Sequence, residues 1–255
     1  MPELLAGKTA LILGVANKWS LAYAIAQAFH REGAKLLLTY QGDRQKETVG
    51  ELGSALGAAA VFECDVTREE DLARLAETVR AHGRLDALVH SIAFANREDL
   101  TRPFLETSRA GYLLAQDVSA YSLVAAARTV APLMTEGGSV ITLSYLGATR
   151  VVTNYNVMGV AKAALEACVR YLSSDLGPSN IRVNAISAGP VKTASARAVA
   201  GLSKLLESMP ARAPLRRNCT PEEVADTAVF LASDLGRGVT GNVLFVDAGY
   251  QVMGL

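Results

Sequence analysis

Lys8-Thr-Ala-Leu-Ile-Leu-Gly14-Val-Ala-Asn-Lys-Trp-Ser20-Leu21-Ala22 is the stretch that decides the fold. A short apolar run ends in a glycine, a polar turn follows, and a helix-forming run begins at Ser20. A strand, a tight glycine turn and a helix N-terminus make a seat for a pyrophosphate, because backbone N–H groups point outward there and the helix dipole favours an anion. Gly14 permits close approach, the Ser20 hydroxyl can add a hydrogen bond, and Leu21 opens the helix. The stretch is not G-x-G-x-x-G. Ser20 and Ala22 stand where a stricter pattern has glycines, so a plain strand-turn-helix would look similar.

Working outward, short apolar runs alternate with longer amphipathic ones. The pattern predicts strands at about 8–14, 35–40, 59–63, 86–91, 138–143, 181–186 and 242–246, and helices near 20–32, 43–56, 68–82, 109–131, 155–176 and 221–233. Continuous apolar strands such as Lys35-Leu-Leu-Leu-Thr-Tyr40 are covered on both faces, as in a parallel sheet between helix layers. Gly33 is placed to end the first helix, and Thr220-Pro221 reads as an N-cap followed by a first-turn proline. The expectation is an α/β chain, a single doubly wound Rossmann-type domain over 1–255 with a seven-stranded parallel sheet and helices on both faces. Residues 190–219 break the rhythm with a weakly patterned, helix-like stretch, Ala194–Met209. A long excursion at the carboxyl end of a strand is a candidate lid over a substrate.

Composition narrows the partners. The 255 residues are 50% hydrophobic and carry zero formal net charge, with neither a basic stripe nor an acidic tail, so no nucleic-acid surface is expected. Three scattered cysteines (Cys64, Cys168, Cys219) suit a reducing cytosol better than a disulfide framework or zinc site, and no metal is expected. No apolar stretch is long enough to span a membrane, and the N-terminus lacks a signal-peptide pattern. A soluble, cytoplasmic protein is the expectation.

The ends of the predicted strands supply further candidates. Gln41 closes the second strand, where a dinucleotide site places its ribose-discriminating residue. It is neutral, with Asp43 and Arg44 just beyond, so NADH is favoured over NADPH. Asp65, after the third strand, can accept from an adenine amino group, or can simply serve a turn. Ser91, Ile92 and Ala93 close the fourth strand and let a ribose or nicotinamide lie against the backbone.

The chemistry lies in Tyr155-Asn-Val-Met-Gly-Val-Ala-Lys162, with Tyr145 one loop upstream. Seven residues are close to two helical turns, so a helix here projects both side chains from one face, roughly 10 Å apart along the axis. A phenol that donates a proton and an ammonium that binds hydroxyls suit a reaction in which a carbonyl oxygen gains negative charge beside a sugar-bearing cofactor.

These residues together resemble the short-chain dehydrogenase/reductase superfamily and, within it, the bacterial enoyl-[acyl-carrier-protein] reductases (NADH) of the FabI type. The resemblance spans nearly the whole chain and is most specific in Leu143-Ser-Tyr145-Leu-Gly, Asn154 to Lys162, Arg182-Val-Asn-Ala-Ile-Ser-Ala-Gly-Pro190 and Val246-Asp247-Ala-Gly249. Most of the superfamily carries Tyr-x-x-x-Lys, whereas here Met158 holds that tyrosine position and the phenol has moved to Tyr155. The displacement suits an enoyl thioester, whose oxygen lies away from the carbon that accepts hydride.

The resemblance implies NADH-dependent reduction of trans-2-enoyl thioesters borne on acyl-carrier protein, as part of fatty acid synthesis. Tyr155 would stabilise the thioester oxygen, Lys162 would hold the nicotinamide ribose, and Tyr145 would orient substrate or wall the site. Cofactor contacts would come from Gly14, Ser20, Leu21, Gln41, Asp65, Val66, Ser91, Ile92, Ala93 and Lys162. Gly189, Val191, Thr193 and Ala194 would continue them after the sixth strand. Ala95 would contact substrate through its backbone, and Phe94, Met158, Leu202 and Leu205 would line an acyl channel or belong to the core. A homotetramer is implied as well. Two rivals remain: a carbonyl (β-keto thioester) reductase of the same fold, and a non-catalytic dinucleotide-sensing protein.

Overall fold

The computed structural model describes residues 3–191 and 202–254, with the side chains of 202–205 outside the description. The opening stretch forms β1 (Thr9–Leu13), a turn, and α1 (Leu21–Arg31). There follow β2 (Lys35–Tyr40), α2 (Asp43–Ala55), β3 (Ala60–Glu63), α3 (Glu69–Ala81) and β4 (Ala87–His90). The second half runs α4 (Arg97–Thr101), α5 (Arg109–Gln116), α6 (Ser122–Val130), β5 (Gly138–Ser144), α7 (Asn156–Leu176), β6 (Ile181–Ala188), α8 (Leu202–Arg212), α9 (Pro221–Ala232) and β7 (Val243–Val246). The seven strands pair in parallel in the order β3-β2-β1-β4-β5-β6-β7.

Every residue of β1 is buried, and alternation sorts them by layer. Ala10 and Ile12 enter the core beneath α1 and α9, while Leu11 and Leu13 enter the opposite core with α3, α6 and α7. Each fully buried leucine or isoleucine contributes about 1.5–3 kcal/mol. This two-sided burial is why the strand sequences are continuously apolar rather than alternating. Chain order reverses between β1 and β4, and an open sheet binds ligands in the crevice beyond that point.

The predicted stops hold. Gly33 follows α1 at φ +83°, and Thr220 caps α9 in a full capping box with Glu223. Three boundaries differ. The expected continuous helix 109–131 is interrupted by a π-helical segment, Asp117–Tyr121. Tyr155 is not inside α7 but is its N-cap residue, so the two-turn spacing places it at the helix mouth. In the candidate lid the helix runs Leu202–Arg212, later than the stretch read from sequence, and residues 192–201 lie outside the described residues. The short helix α4 has too few residues for a periodic signal.

Candidate active site

The turns after β1 and β4 touch at the reversal point. Gly14 has φ +88°, and a Cβ on it would collide with the Ser91 carbonyl oxygen, so both conformation and space demand glycine. The Ser91 N–H donates to the Leu13 carbonyl at 3.2 Å. Ser20 caps α1: its hydroxyl accepts from the Tyr23 N–H at 3.3 Å and donates to the Asn17 carbonyl at 2.7 Å. In this arrangement the hydroxyl donates within the turn. The cap carbonyl takes the N–H groups of Tyr23 and Ala24, leaving those of Leu21 and Ala22 at the helix mouth. Trp19 stands 53% exposed on this turn. The Lys18 ammonium lies 4.7 Å from its ring centroid.

Gln41 and Asp65 meet at the ends of β2 and β3. The Gln41 Nε2 donates to Asp65 Oδ2 at 2.9 Å, while Asp65 Oδ1 accepts from the Thr67 N–H at 3.0 Å and its hydroxyl at 2.7 Å. Burial raises the Asp65 pKa, but the Thr67 and Gln41 bonds and the Arg68 charge outweigh it, holding the carboxyl below the usual carboxylate range. Val66 is buried beside them. Beyond β4, Ile92 packs on the α3/α6 core and Ala93 is exposed. Phe94 is 51% exposed. Its backbone is clamped, because the Ser119 hydroxyl accepts from the Phe94 N–H at 2.9 Å and donates to its carbonyl at 3.0 Å. Ser119 lies in the π segment.

Tyr145 follows β5, and its ring meets that of Tyr155 edge-on, centroids 4.9 Å apart at 69°. Tyr155 sits between two asparagines with positive φ, Asn154 (63°) and Asn156 (30°). Asn156 is tied down by its Nδ2, which donates to the Arg102 carbonyl at 2.6 Å. Burial raises both phenol pKa values: Tyr145, also facing Tyr250, is pushed up to about 12, and Tyr155, also facing Tyr145, goes higher. Both are therefore neutral proton donors at physiological pH.

Lys162 lies two turns into α7, 5% exposed. Its Nζ donates to the Leu143 carbonyl at 2.7 Å, which leaves two of its three N–H donors for a ligand. Burial lowers its pKa to about 8, against an upward pull from Glu166. Behind it, His90 Nδ1 is 2.9 Å from the Thr142 hydroxyl and Nε2 is 2.8 Å from the Ser122 hydroxyl. Ser122 spends its proton on the Val118 carbonyl at 2.7 Å, so its oxygen is placed to accept from Nε2, while the Thr142 hydroxyl beside Nδ1 also lies 3.2 Å from the His90 carbonyl, to which it can donate. Burial, then the Lys162 charge, lowers the His90 pKa to about 3, so the ring stays neutral.

A groove of about 440 Å³ runs past Tyr155, lined also by Phe104, Gly147, Val151, Val152 and Val160. Lys162 does not line it; the ammonium sits deeper, against the sheet. A polar cavity of about 250 Å³ among Lys8, Arg84, Asp86, Arg182 and Asp234 lies at the opposite, amino end of the strands. Met158 is buried in a small apolar cluster with Leu100, Ala115, Val157 and Ala161, against which Ala95 and Tyr155 pack. Gly189 is buried at the end of β6, its N–H donating to the Val246 carbonyl at 2.8 Å, and Val191 packs on the α1/α9 core. Thr193 and Ala194 lie outside the described residues. Leu202 and Leu205 fall in α8 with side chains outside the description.

Several residues shape the site without a motif to announce them. A Cβ on Gly147 would strike the Tyr155 ring, and one on Gly159 would lie 2.8 Å from the Gly147 carbonyl oxygen. A glycine inside a helix, four residues after Tyr155, was the available signal for Gly159. Ser119 had none, because a π turn cannot be read from periodicity. Glu166 had one: an acid one turn after Lys162 on an otherwise apolar stripe.

Comparison with known proteins places the chain among relatives of one family. The family model described as enoyl-(acyl carrier protein) reductase matches residues 14–251. The enoyl-[acyl-carrier-protein] reductase [NADH] FabI of Bacillus cereus is 54% identical over 99% of this chain and 100% of its own. The protein of the same name from a Nostoc species is 53% identical over 98% and 99%. The Bacillus cereus enoyl-acyl carrier protein reductase, solved with NADP+ and indole naphthyridinone, superposes with a TM-score of 0.97 at 54% identity, covering 100% of both chains. With the glycine turn, the neutral phenol at position 155 and the buried lysine already in one fold, these matches settle kinship: the chain belongs to the enoyl-(acyl carrier protein) reductase family of oxidoreductases.

Proposed function

We propose that this protein reduces trans-2-enoyl thioesters carried on acyl-carrier protein to saturated acyl thioesters with NADH, in the elongation cycle of fatty acid synthesis. The observation that carries this reading is at position 158. A carbonyl reductase needs a phenol there, but Met158 is sealed into an apolar cluster, and the neutral phenol is offered one turn earlier by Tyr155.

The chain fits a dinucleotide. Gly14 leaves the space that a Cβ would fill, and the N–H groups of Leu21 and Ala22 are free to meet a pyrophosphate. Gln41 and the ionised Asp65 present an amide oxygen and a negative charge, a corner that accepts hydroxyl protons and repels a 2′-phosphate, so NADH is preferred over NADPH. When bound, the nicotinamide supplies a hydride. Lys162 spends its two remaining donors on the ribose hydroxyls and lends positive potential. The Tyr155 hydroxyl donates to the thioester oxygen as enolate charge grows there, within a wall formed by Tyr145. Ala95 offers its backbone to substrate, and Phe94 a half-exposed ring. Residues 190–219 act as the lid of a single domain.

Two further proposals accompany this one. Among the described residues no helix is long and apolar enough to cross a membrane, which supports a cytoplasmic enzyme. The outward face of α7 beside the Tyr155 groove carries Val160 and Ala163, which supports a homotetramer built partly on that helix.

The test compares crotonyl and acetoacetyl thioesters in an NADH-oxidation assay, with NADPH in parallel. Turnover with the enoyl substrate and little with the β-keto substrate is the expected result. Tyr155→Phe should lower kcat by about 10²–10³ with NADH affinity retained; unchanged turnover in that variant would sink the assignment.

A further inference from the structure

Glu166 is 7% exposed, near the middle of α7. It stands four residues after Lys162, so both side chains leave the same helix face about one turn apart. A carboxylate buried that deeply is costly unless it is paired or hydrogen-bonded. One oxygen accepts from the Ser144 hydroxyl at 2.5 Å, within the range of charge-assisted O–H···O⁻ bonds. Ser144 ends β5, between Leu143, whose carbonyl holds the Lys162 ammonium, and Tyr145. The acid is therefore built into the same corner of the sheet as the lysine, through the adjacent residue.

We propose that Glu166 is a positioning residue for the reaction: fixed by Ser144, it is the buried counter-charge that holds the Lys162 side chain in its ammonium form and aimed at the cofactor. The proposal rests on the assignment of Lys162 to the nicotinamide ribose. Burial drives Lys162 toward neutrality and Glu166 opposes it, so the two effects meet close to physiological pH. A lysine that lost its proton there would keep its shape but lose its positive potential and one of its donors.

The other groups around Lys162 leave Glu166 as the counter-charge. From β4, His90 faces the ammonium and stays neutral. At the mouth of α7, Tyr145 and Tyr155 keep their protons. From β6, residues 183–187 carry no ionisable side chain. In the π segment, Asp117 and Tyr121 are exposed; in α4, the buried Asp99 is engaged by Asn96 and by the Ser108 N–H. Arg170, four residues further along α7 and exposed, helps to keep Glu166 ionised, although burial still raises its pKa. Lys162, Glu166 and Arg170 thus form a stripe of alternating charge running from the site to the surface.

The experiment measures the NADH dissociation constant and kcat/KM with crotonyl-CoA across pH for the full-length enzyme and four variants. Glu166→Gln keeps an acceptor for Ser144 and removes only the charge. Its alkaline limb should move to lower pH by roughly one unit, with the low-pH plateau of NADH affinity unchanged. Glu166→Asp should recover part of that shift, and Ser144→Ala should move the limb the same way by less. An alkaline limb in Glu166→Gln that coincides with the wild type overturns the proposal. If that variant does not fold, the Ser144→Ala profile decides, and an unmoved limb again overturns it. Lys162→Met separates the two levels. If it leaves NADH affinity intact, the ribose assignment fails and this proposal falls with it; if affinity drops while Glu166→Gln is unshifted, only this proposal fails.

Discussion

Tyr155 owes its position to neighbours rather than to its helix. It is the residue before α7, flanked by two asparagines in left-handed backbone that most side chains avoid. Its ring is held edge-on by Tyr145 and from below by the bare Cα of Gly147. Gly147→Ala should therefore displace the phenol while sparing the dinucleotide turn. An ångström of misplacement can cost about 10² in rate, so kcat should fall steeply with NADH affinity retained, as steady-state kinetics beside a binding titration will show. Wild-type kcat would mean that the ring has another resting place. Tyr155 and Lys162 stood out in the sequence as candidate site residues because phenol and amine advertise their chemistry. Gly147 was not, since the ring it makes room for is eight residues away and a loop glycine looks like any turn.

Among the elements, the run from α5 to α6 carries most of what periodicity could not supply. The π segment keeps the helix going but turns Ser119 toward the loop after β4, where one hydroxyl holds both backbone groups of Phe94. Ser119→Ala should cost about 1–3 kcal/mol by stripping those groups of their partner. The loss should appear in urea unfolding, and as faster hydrogen exchange confined to residues 93–96; uniform exchange would refute a local clamp. The capping box of α9 lies at the other extreme of legibility. Thr220 and Pro221 announced that helix by their order alone, and the structure adds the part of Glu223 in a capping box, 3.3 Å from the Glu223 N–H to the Thr220 hydroxyl and 2.9 Å from the Thr220 N–H to the Glu223 carboxylate. Local grammar is readable where partners are three residues apart; a clamp spanning 25 residues, as from Ser119 to Phe94, is not.

At the scale of the whole molecule, the buried ionisable groups set the pH range of stability. His90 has its pKa lowered from 6.5 to about 3, so the folded state binds its proton less readily than the unfolded chain. The stability associated with its neutral form is complete above pH 6.5 and is lost progressively as pH falls toward 3. Lys162 behaves alike on the alkaline side: its pKa falls from 10.5 to about 8, so stability grows as pH rises through that interval. Tyr145, raised from 10 to about 12, reverses the trend above pH 10. Urea midpoints between pH 7 and pH 5 should decline, and more shallowly in His90→Gln; equal slopes would remove His90 from the account. The seven strands of this architecture were visible in their continuous apolar runs, because both faces of the sheet are covered. The electrostatic corner was not, since His90, Ser144, Lys162 and Glu166 come from three elements that only the sheet order brings together.

The exposed indole at position 19, the one tryptophan in the chain, has a use beyond packing. It stands on the turn that would cradle the pyrophosphate, with an ammonium over its face. Indole emission overlaps the absorption of reduced nicotinamide, so the protein carries its own optical gauge of occupancy. Excitation of that ring in unlabelled enzyme can follow dinucleotide arrival and departure in real time.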